Sequence, residues 1–369
     1  MNKNHAKQTN ARAYICHTYY QIYVTLLKEL VVAHGTNTYA DETAAVSSAD
    51  LFLSLMSKEL HSPDLYKSLV SSGIFRNVFY LNEKKATDFP QLQKYKDPSA
   101  SIFKKMLNRM AFSKELPKAM SAYIQEDFSV YKDVYVYCDE DPIAYYLNYK
   151  KIPFHAVEDG LDCIVNCDVI IKDDSRFLAL KQFLAAHGLI FMPNGYSKYA
   201  IDMEVNDLSR IKYPHKGWKE IRRDDLVRAL TPADKERILQ LFVPDLDRLK
   251  KACETTKGAF LLLTQPLCDL KTRKRIFEDI IRDYANGAPV IIKPHPRDSL
   301  DYQKEFPSCL VLDSNFPIEV LNFCAGVHFH TALSVMTTVL DAISFADKKV
   351  NLGWSFLDPY EDPALHTYD

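Results

Sequence analysis

The chain has 369 residues, of which 47% are hydrophobic and 25% charged, and its formal net charge is -2. This length suits two domains of ordinary size, and the composition is that of a globular protein. Because the chain has no overall basic character, we expect no nucleic-acid partner, and any anionic ligand must be bound by local groups.

Two further features bear on where the protein resides. The sequence contains no run of about 18 consecutive apolar residues, and its polar start lacks the apolar core of a signal peptide. We therefore expect a cytoplasmic protein, with peripheral contact at the inner face of the membrane left open. Of the eight cysteines, only Cys163 and Cys167 lie close together, without a second pair of ligands, so we expect reduced thiols and no metal site.

Glycine is scarce, with ten residues in the whole chain, and neither GxGxxG nor GxxxxGK[ST] occurs. Both motifs place glycine where the backbone approaches a phosphate closely. Their absence argues against a nicotinamide-binding Rossmann site and against a P-loop NTPase, and no cofactor is predicted.

The first half of the chain alternates short β-prone segments with helical patterns. Residues 19–34 carry Ile22, Leu26, Leu27 and Leu30 at helical spacing. The predicted strands are residues 13–16, 51–56, 77–81, 134–138 and 152–157. This alternation is typical of βαβ units and predicts a mostly parallel sheet covered by helices.

The same alternation begins again near residue 259. The predicted strands of this half are residues 259–264, 289–293, 309–313, 326–330 and 349–354. A helix with Thr231 as N-cap and Pro232 at its first position precedes them, and Pro244 should end or kink that helix. We therefore predict two Rossmann-like α/β domains, residues 1–250 and residues 251–369.

In open α/β sheets, ligands bind beyond the carboxyl ends of the strands, and three short motifs follow predicted strands here. The first motif is Glu158, Asp159 and Gly160, directly after residues 152–157. Two adjacent acids repel each other, which can raise one pKa toward the range of a general base. A solvated loop with a turn glycine is the alternative interpretation.

The second motif is KPHPR, Lys293 to Arg297, after an apolar strand. Pro294 and Pro296 stiffen the loop around His295, which two cations flank. An imidazole in this setting can donate a hydrogen bond to phosphate and can protonate a departing phosphate. A proline-rich surface loop is the alternative.

The third motif is HFHTALSVMTT at residues 328–338, in which a strand is predicted to end at Phe329 or His330. Thr331, Ser334 and Thr337 would then lie at a helix N-terminus, where hydroxyls and free amides can hold a phosphate. Simple capping of a helix by Thr331 is the alternative.

Together the motifs resemble the bacterial sialyltransferases and polysialyltransferases of the GT-B fold, most closely glycosyltransferase family 52. The resemblance includes segments 14–21, 158–160, 261–269, 293–298, 316–321 and 329–338, which occur in the family's order. It implies two Rossmann-like domains that face a central cleft. It also implies a metal-independent, inverting transfer from CMP-sialic acid to a hydroxyl of a capsular or lipooligosaccharide glycan.

The resemblance also assigns roles to individual residues. His295 would stabilise or protonate the departing CMP phosphate, on a loop shaped by Pro296. The other donor-binding residues would be Lys293, Arg297, Pro317, Ile318, Glu319, Thr331, Ser334 and Thr337. Asp159 is the favoured base, with Glu158 and Asp269 as competing carboxylates. His330 departs from the family pattern.

His17 and Thr18 follow the first strand, and together with Gly160 they would line the cleft. A loop histidine with satisfied hydrogen bonds is an equal alternative for His17. The basic, aromatic segment at residues 212–223 could contact an anionic glycan or lipid headgroups, although a solvated loop is favoured there.

Other functions stay open at this point. A loop with a His-Pro pair that binds phosphate would equally serve a UDP-sugar, a GDP-sugar or CDP-glycerol as donor. A non-catalytic protein that binds nucleotide or glycan, and a homodimer, are also compatible with the sequence.

Overall fold

The computed structural model describes residues 10–34, 49–137, 139–160, 177–211, 217–243, 246–254 and 258–362. Its contacts divide the chain into two units, Met1–Thr231 and Pro232–Asp369. Each unit contains a parallel β-sheet whose strands are separated along the chain by helices.

The described strands of the first unit form a seven-stranded sheet. They are β1 (Arg12–Cys16), β2 (Ala49–Ser54), β3 (Asn77–Leu81), β4 (Asp133–Tyr137), β5 (Phe154–Val157), β6 (Ala200–Val205) and β7 (Trp218–Glu220). Their order across the sheet is β3-β2-β1-β4-β5-β6-β7, and every pair is parallel. The winding reverses between β1 and β4, which is where ligands bind in doubly wound sheets.

Burial explains why the central strands β1 and β2 consist mostly of apolar residues. Every residue of β1 and β2 is buried, as expected for strands covered on both faces. The edge strand β3 is partly exposed. Ile15, Phe52 and Val136 belong to the largest described core cluster of this unit.

The described α-helices of the first unit connect and cover these strands. They are α1 (Tyr19–Ala33), α2 (Pro63–Ser71), α3 (Ile102–Met120), α4 (Pro142–Lys150), α5 (Leu178–Ala186) and α6 (Arg223–Ala229). Helix α1 begins at Tyr19 because the Thr18 hydroxyl accepts a hydrogen bond from the backbone N–H of Gln21.

The described strands of the second unit form a five-stranded parallel sheet with the order β10-β9-β8-β11-β12. They are β8 (Ala259–Leu263), β9 (Val290–Lys293), β10 (Leu310–Val311), β11 (Phe329–Ser334) and β12 (Ala346–Asn351). The winding reverses between β8 and β11. Strand β8 is buried throughout, whereas the edge strand β12 exposes Asp347, Lys348 and Lys349, charges that discourage pairing with another chain.

The described α-helices of the second unit are α7 (Pro232–Phe242), α8 (Leu246–Cys253), α9 (Leu270–Tyr284), α10 (Tyr302–Glu305) and α11 (Val339–Ala342). A 3₁₀ segment covers Ile318–Phe323. Helices α7 and α8 are grouped with this unit, so the division lies at Thr231, before the position 250 expected from sequence.

The predicted α/β organisation is confirmed in both halves, and each predicted strand overlaps an observed one. The prediction missed β6 and β7. It was also wrong about residues 329–338, because β11 continues to Ser334 and α11 begins only at Val339. Parallel pairing with β8 on one side and β12 on the other holds Thr331 to Ser334 in the strand.

Among the described helices, none is long and apolar enough to cross a membrane. The described cysteines Cys16, Cys253, Cys268, Cys309 and Cys324 are free thiols, while Cys138, Cys163 and Cys167 lie outside the described residues. Within the described part of the chain, no group of three or more His, Cys, Asp or Glu side chains is arranged to hold a metal ion.

Candidate active site

Polar side chains gather at the carboxyl edge of the first sheet. His17 follows β1, Ser54 ends β2, Glu83 follows β3, Asp141 follows β4 and Asp159 follows β5. These strands are neighbours, so their ends lie side by side along one edge. This edge includes the reversal point between β1 and β4, with His17 and Asp141 on either side of it.

Glu83 connects three segments of this edge. Its carboxylate accepts hydrogen bonds from Nε2 of His17 at 2.7 Å, from the Ser54 hydroxyl at 3.0 Å and from the backbone N–H of Ile143 at 2.7 Å. Glu83 is 1% exposed. A buried carboxylate with this many donors is held rigidly, so Glu83 fixes the position of the His17 ring.

His17 lies between carboxylates on both sides of its ring. While Nε2 donates to Glu83, Nδ1 lies 3.5 Å from Oδ2 of Asp141. Burial by itself would lower the pKa of His17, but Glu83, with help from Asp141 and Asp159, raises it to about 9. The imidazole is therefore protonated at neutral pH.

The pKa of Asp141 is raised to about 7, first by burial and then by Glu83, Asp159 and Glu140, while the cationic His17 opposes the rise. A carboxyl that titrates near neutral pH can take up or release a proton under physiological conditions. The pKa of Asp141 therefore lies in the working range of a general base.

The acidic motif after β5 divides into a structural residue and an accessible one. Glu158 is 2% exposed and accepts a hydrogen bond from the backbone N–H of Asn206 at 2.8 Å. Asp159 is half-buried, and its Oδ1 accepts a hydrogen bond from Nε2 of Gln21. Of the two predicted carboxylates, Asp159 is therefore the one that a substrate can reach. Gly160 is the last described residue before residues 161–176.

Gln21 fixes the orientation of Asp159. Its Oε1 accepts the backbone N–H of His17 at 2.5 Å, so its Nε2 must be the donor to Asp159. Gln21 is 1% exposed on the first turn of α1. The backbone N–H of His17 thus fixes the buried Gln21 amide, and that amide positions Asp159, the predicted base.

In the second unit, the predicted histidine lies beyond the carboxyl end of β9. The backbone N–H of His295 donates to the Thr264 hydroxyl at 3.2 Å, and Nδ1 of His295 accepts the backbone N–H of Arg297 at 3.1 Å. Because a backbone amide can only donate, Nδ1 carries no proton. The neutral ring therefore has its proton on Nε2.

The pKa of His295 is lowered to about 4, mainly by burial and then by Arg297 and Lys293. At neutral pH the ring is uncharged and presents Nε2–H as a hydrogen-bond donor. Pro296 and Arg297 are exposed beside it. An incoming phosphate would favour the protonated ring, since an adjacent negative charge raises the pKa of a histidine.

A salt bridge holds the His295 loop to helix α9. Arg273 donates to Oδ1 of Asp298 at 2.6 Å, and Tyr302 donates to Oδ2 of Asp298 at 2.6 Å. The backbone N–H of Asp298 in turn donates to the carbonyl of His295 at 2.9 Å. These contacts tie the His295 loop to α9 through Arg273 and to α10 through Tyr302.

Lys293 and the segment after β10 form a buried charged group. Lys293 Nζ donates to the Ser314 carbonyl at 2.9 Å and lies 4.7 Å from the centre of the Phe316 ring. Burial lowers the pKa of Lys293 to about 8 and raises that of Glu319 to about 7. Pro317 and Ile318 are buried beside them.

The three hydroxyl residues predicted to act together are separated. Ser334, at the carboxyl end of β11, donates to Oε1 of Gln265 at 3.2 Å, and Thr337 follows shortly after. Thr331 pairs in register with Phe260 and Lys348, three residues earlier in the strand, which is about 10 Å away. The predicted helix start is therefore wrong, because Thr331 and Ser334 belong to β11 and Thr337 lies between β11 and α11.

The competing carboxylate Asp269 caps helix α9. It accepts backbone hydrogen bonds from Lys271 at 2.9 Å and Thr272 at 3.1 Å, and the Thr272 hydroxyl at 2.6 Å. The Thr272 hydroxyl and these amides lower the pKa of Asp269. Both features suit a structural cap better than a base.

Comparison with known proteins decides the class of the protein. The sequence profile of glycosyltransferase family 52 matches residues 98–352. The chain belongs to glycosyltransferase family 52. Its two parallel α/β units are those of the GT-B fold.

Two solved structures are also similar to this chain. An α/β-galactoside α-2,3-sialyltransferase of Photobacterium phosphoreum aligns with a TM-score of 0.50 and 11% identity, over 93% of this chain and 90% of that one. The GT-B domain of a sialyltransferase of Photobacterium damselae aligns with a TM-score of 0.48 and 12% identity, over 91% and 88% of the two chains.

An uncharacterized protein of Haemophilus influenzae is 30% identical over 131 residues, which are 34% of this chain and 41% of that protein. The match therefore spans about two fifths of the length of this curated relative.

Sequence analysis singled out His17, Asp159 and His295 but not Glu83, Gln21 or Asp141. Their only signal in the sequence is position, since each lies within a few residues of a predicted strand end or helix start. The segment at residues 212–223 lies partly outside the described residues.

Proposed function

We propose that the protein transfers sialic acid from CMP-sialic acid to a hydroxyl of a cell-surface glycan, with inversion at the anomeric carbon. The observation that carries this proposal is the tautomer of His295. Its Nδ1 accepts the Arg297 amide, so Nε2–H is free to donate to the phosphate that leaves with CMP. The choice of CMP-sialic acid rests on the motif resemblance to the sialyltransferases of this family.

Two groups carry the proposed chemistry. As the acceptor oxygen bonds to the anomeric carbon, its proton passes to a carboxylate at the edge of the first sheet, Asp159 in the family motif. The bond from the anomeric carbon to the phosphate oxygen breaks, and its electron pair leaves with CMP. His295 stabilises this negative charge through a hydrogen bond from Nε2–H to a phosphate oxygen.

Lys293, Pro317, Ile318 and Glu319 are proposed to support the nucleotide. The Lys293 ammonium, buried against Phe316, is a local positive charge in a chain with no overall basic character. The Ser334 and Thr337 hydroxyls lie at and beyond the carboxyl end of β11, the edge at which phosphate is bound in sheets of this type.

The test is a donor panel. The wild-type protein is incubated with lactose and CMP-sialic acid, UDP-sugars, GDP-sugars or CDP-glycerol, and nucleotide release is measured. With each donor tested separately, we expect CMP release from CMP-sialic acid and no nucleotide release from the others. Release of UDP or GDP, or of CMP from CDP-glycerol, would replace the proposed donor with the one consumed. A thermal-shift panel with CMP, CDP, UDP and GDP should rank CMP first.

A further inference from the structure

Asp141 occupies the N-cap position of α4 but does not cap this helix. Aspartate is favoured at N-caps because its carboxylate accepts a first-turn amide, a contact that contributes about 1 kcal/mol. The Asp141 side chain makes no such hydrogen bond. Its carboxylate instead points toward the His17 ring, with Oδ2 3.5 Å from Nδ1.

Glu83 provides the cap in its place. Its Oε1 accepts the backbone N–H of Ile143 at 2.7 Å, although Glu83 lies 60 residues earlier in the chain. Pro142, at the first helical position, has no N–H to offer. Because Glu83 caps α4, the Asp141 carboxylate is not needed as the cap of this helix.

The atom that faces Asp141 has an unfilled hydrogen-bond position. Nδ1 of His17 is buried and has no hydrogen-bond partner among the described residues, and His17 is 5% exposed. Leaving such a group unpaired costs about 1–3 kcal/mol, so a native protein that keeps one calls for an explanation. A ligand atom that binds there would remove this cost.

The Asp141 carboxylate and Nδ1 of His17 together determine which kind of ligand group can bind at this position. The Asp141 carboxylate accepts hydrogen bonds, whereas the protonated His17 ring donates from Nδ1. A hydroxyl group can donate to one and accept from the other at the same time. Sugar hydroxyls are the groups that a glycosyltransferase activates.

We propose that Asp141 is a catalytic carboxylate that binds the nucleophilic hydroxyl of the acceptor sugar, and that Glu83 and His17 position it. This inference rests on the proposed function. The acceptor O–H bond breaks as the new C–O bond forms, and its single proton passes to the carboxylates of this edge, Asp141 and Asp159. Asp159 influences Asp141 directly, since it raises the pKa of that group.

The substitution Asp141→Asn tests the proposal, because asparagine is as good an N-cap as aspartate and has nearly the same shape. We expect acceptor-dependent transfer to fall by about 100-fold or more, with unchanged Tm and unchanged affinity for CMP in calorimetry. The matched control is Asp301→Asn, at an N-cap whose carboxylate does cap its helix, accepting the Lys304 amide at 3.1 Å. This control should match the wild type.

Two results would overturn the assignment. Transfer by Asp141→Asn within threefold of wild type would remove Asp141 from the reaction, and a lowered Tm or lost CMP binding would make it a structural residue. Failure of the proposed donor appears separately, as wild-type protein that releases no CMP. The variants are then compared with the sugar nucleotide that the wild type consumes, since the hydroxyl argument does not depend on the donor.

Discussion

The backbone N–H of Arg297 donates to Nδ1 of His295 at 3.1 Å, and this one contact sets the proton on the opposite side of the imidazole ring. The loop therefore supplies a neutral histidine with a fixed direction of donation. Pro294 and Pro296 restrict the backbone on either side of it, so the direction does not depend on a bound ligand.

The first prediction separates loop structure from chemistry at His295. In His295→Asn the side-chain oxygen can replace Nδ1 as acceptor for the Arg297 amide, but Nε2–H is lost. His295→Ala loses both. If Nε2–H stabilises the leaving phosphate, both variants should lose at least about 100-fold in kcat.

The measurement is CMP release at saturating donor, with thermal unfolding as a check on the fold. Near-normal turnover in the asparagine variant, combined with a large loss in the alanine variant, would assign His295 to loop structure alone.

The second prediction distinguishes the two candidate carboxylates Asp159 and Asp269. Asp159→Asn should lower kcat/KM by about 100-fold or more because the amide cannot accept the acceptor's proton. Asp269→Asn should retain activity within about threefold, since asparagine caps α9 as well as aspartate does. Steady-state kinetics on both variants checks this, and the reverse pattern would move the base to the second unit.

The third prediction concerns the pH profile. The charged groups that face Asp141 are His17, Glu83, Asp159 and Glu140. A carboxylate that must be deprotonated gives a kcat/KM that falls below its pKa, which is about 7 here. Replacing His17 with glutamine removes the cation that lowers this pKa, so the acid limb should move to higher pH by about one unit.

Kinetics between pH 5 and pH 9 on wild type and His17→Gln measures this shift. The same experiment on Asp301→Asn provides the control profile. An acid limb that stays in place, or one that moves to lower pH, would show that His17 does not act through Asp141.

The fourth prediction concerns stability. The pKa of Glu319 rises from 4.5 to about 7 on folding, chiefly through burial. A raised folded pKa gives stability that is complete below pH 4.5 and is lost as the pH rises through 7. Glu319→Gln should therefore be more stable than wild type at pH 8, by on the order of 3 kcal/mol, and closely similar at pH 4.5.

Denaturant unfolding at the two pH values tests this, with CMP-induced protection as a second readout. Because Glu319 is proposed to support the nucleotide, the more stable variant should gain less protection from CMP. Equal stability of the two proteins at pH 8 would contradict the raised pKa.

The fold could be predicted largely because fully covered parallel strands are continuous apolar runs, as in AFLLL of β8. Strand β6 was not predicted because its sequence, AIDMEV, contains acidic residues that are buried in the core. Asp202 is paired there with His155 at 2.8 Å and Glu204 with Lys28 at 2.5 Å. These partners are distant in sequence, so the apolar pattern gave no sign that the acids are buried.

The site was predictable where a motif directly follows a strand, as for Asp159 and His295. It was not predictable where one residue performs the task of another. Glu83 caps α4 although Asp141 occupies the N-cap position. Glu83 can do so because the ends of β1, β3 and β4 lie close together in the folded sheet, which the sequence does not show. The helix start predicted in the hydroxyl motif was wrong because pairing on both sides of β11 outweighed the helix-start pattern.

Glu83 has a consequence for assembly of the first unit. Its three hydrogen-bond donors come from the ends of β1 and β2 and from the start of α4, so they converge only after those segments have docked. The raised pKa of His17 should therefore be among the last native properties to form during refolding. Time-resolved NMR of the His17 ring signals during refolding would show when the hydrogen bonds of Glu83 have formed.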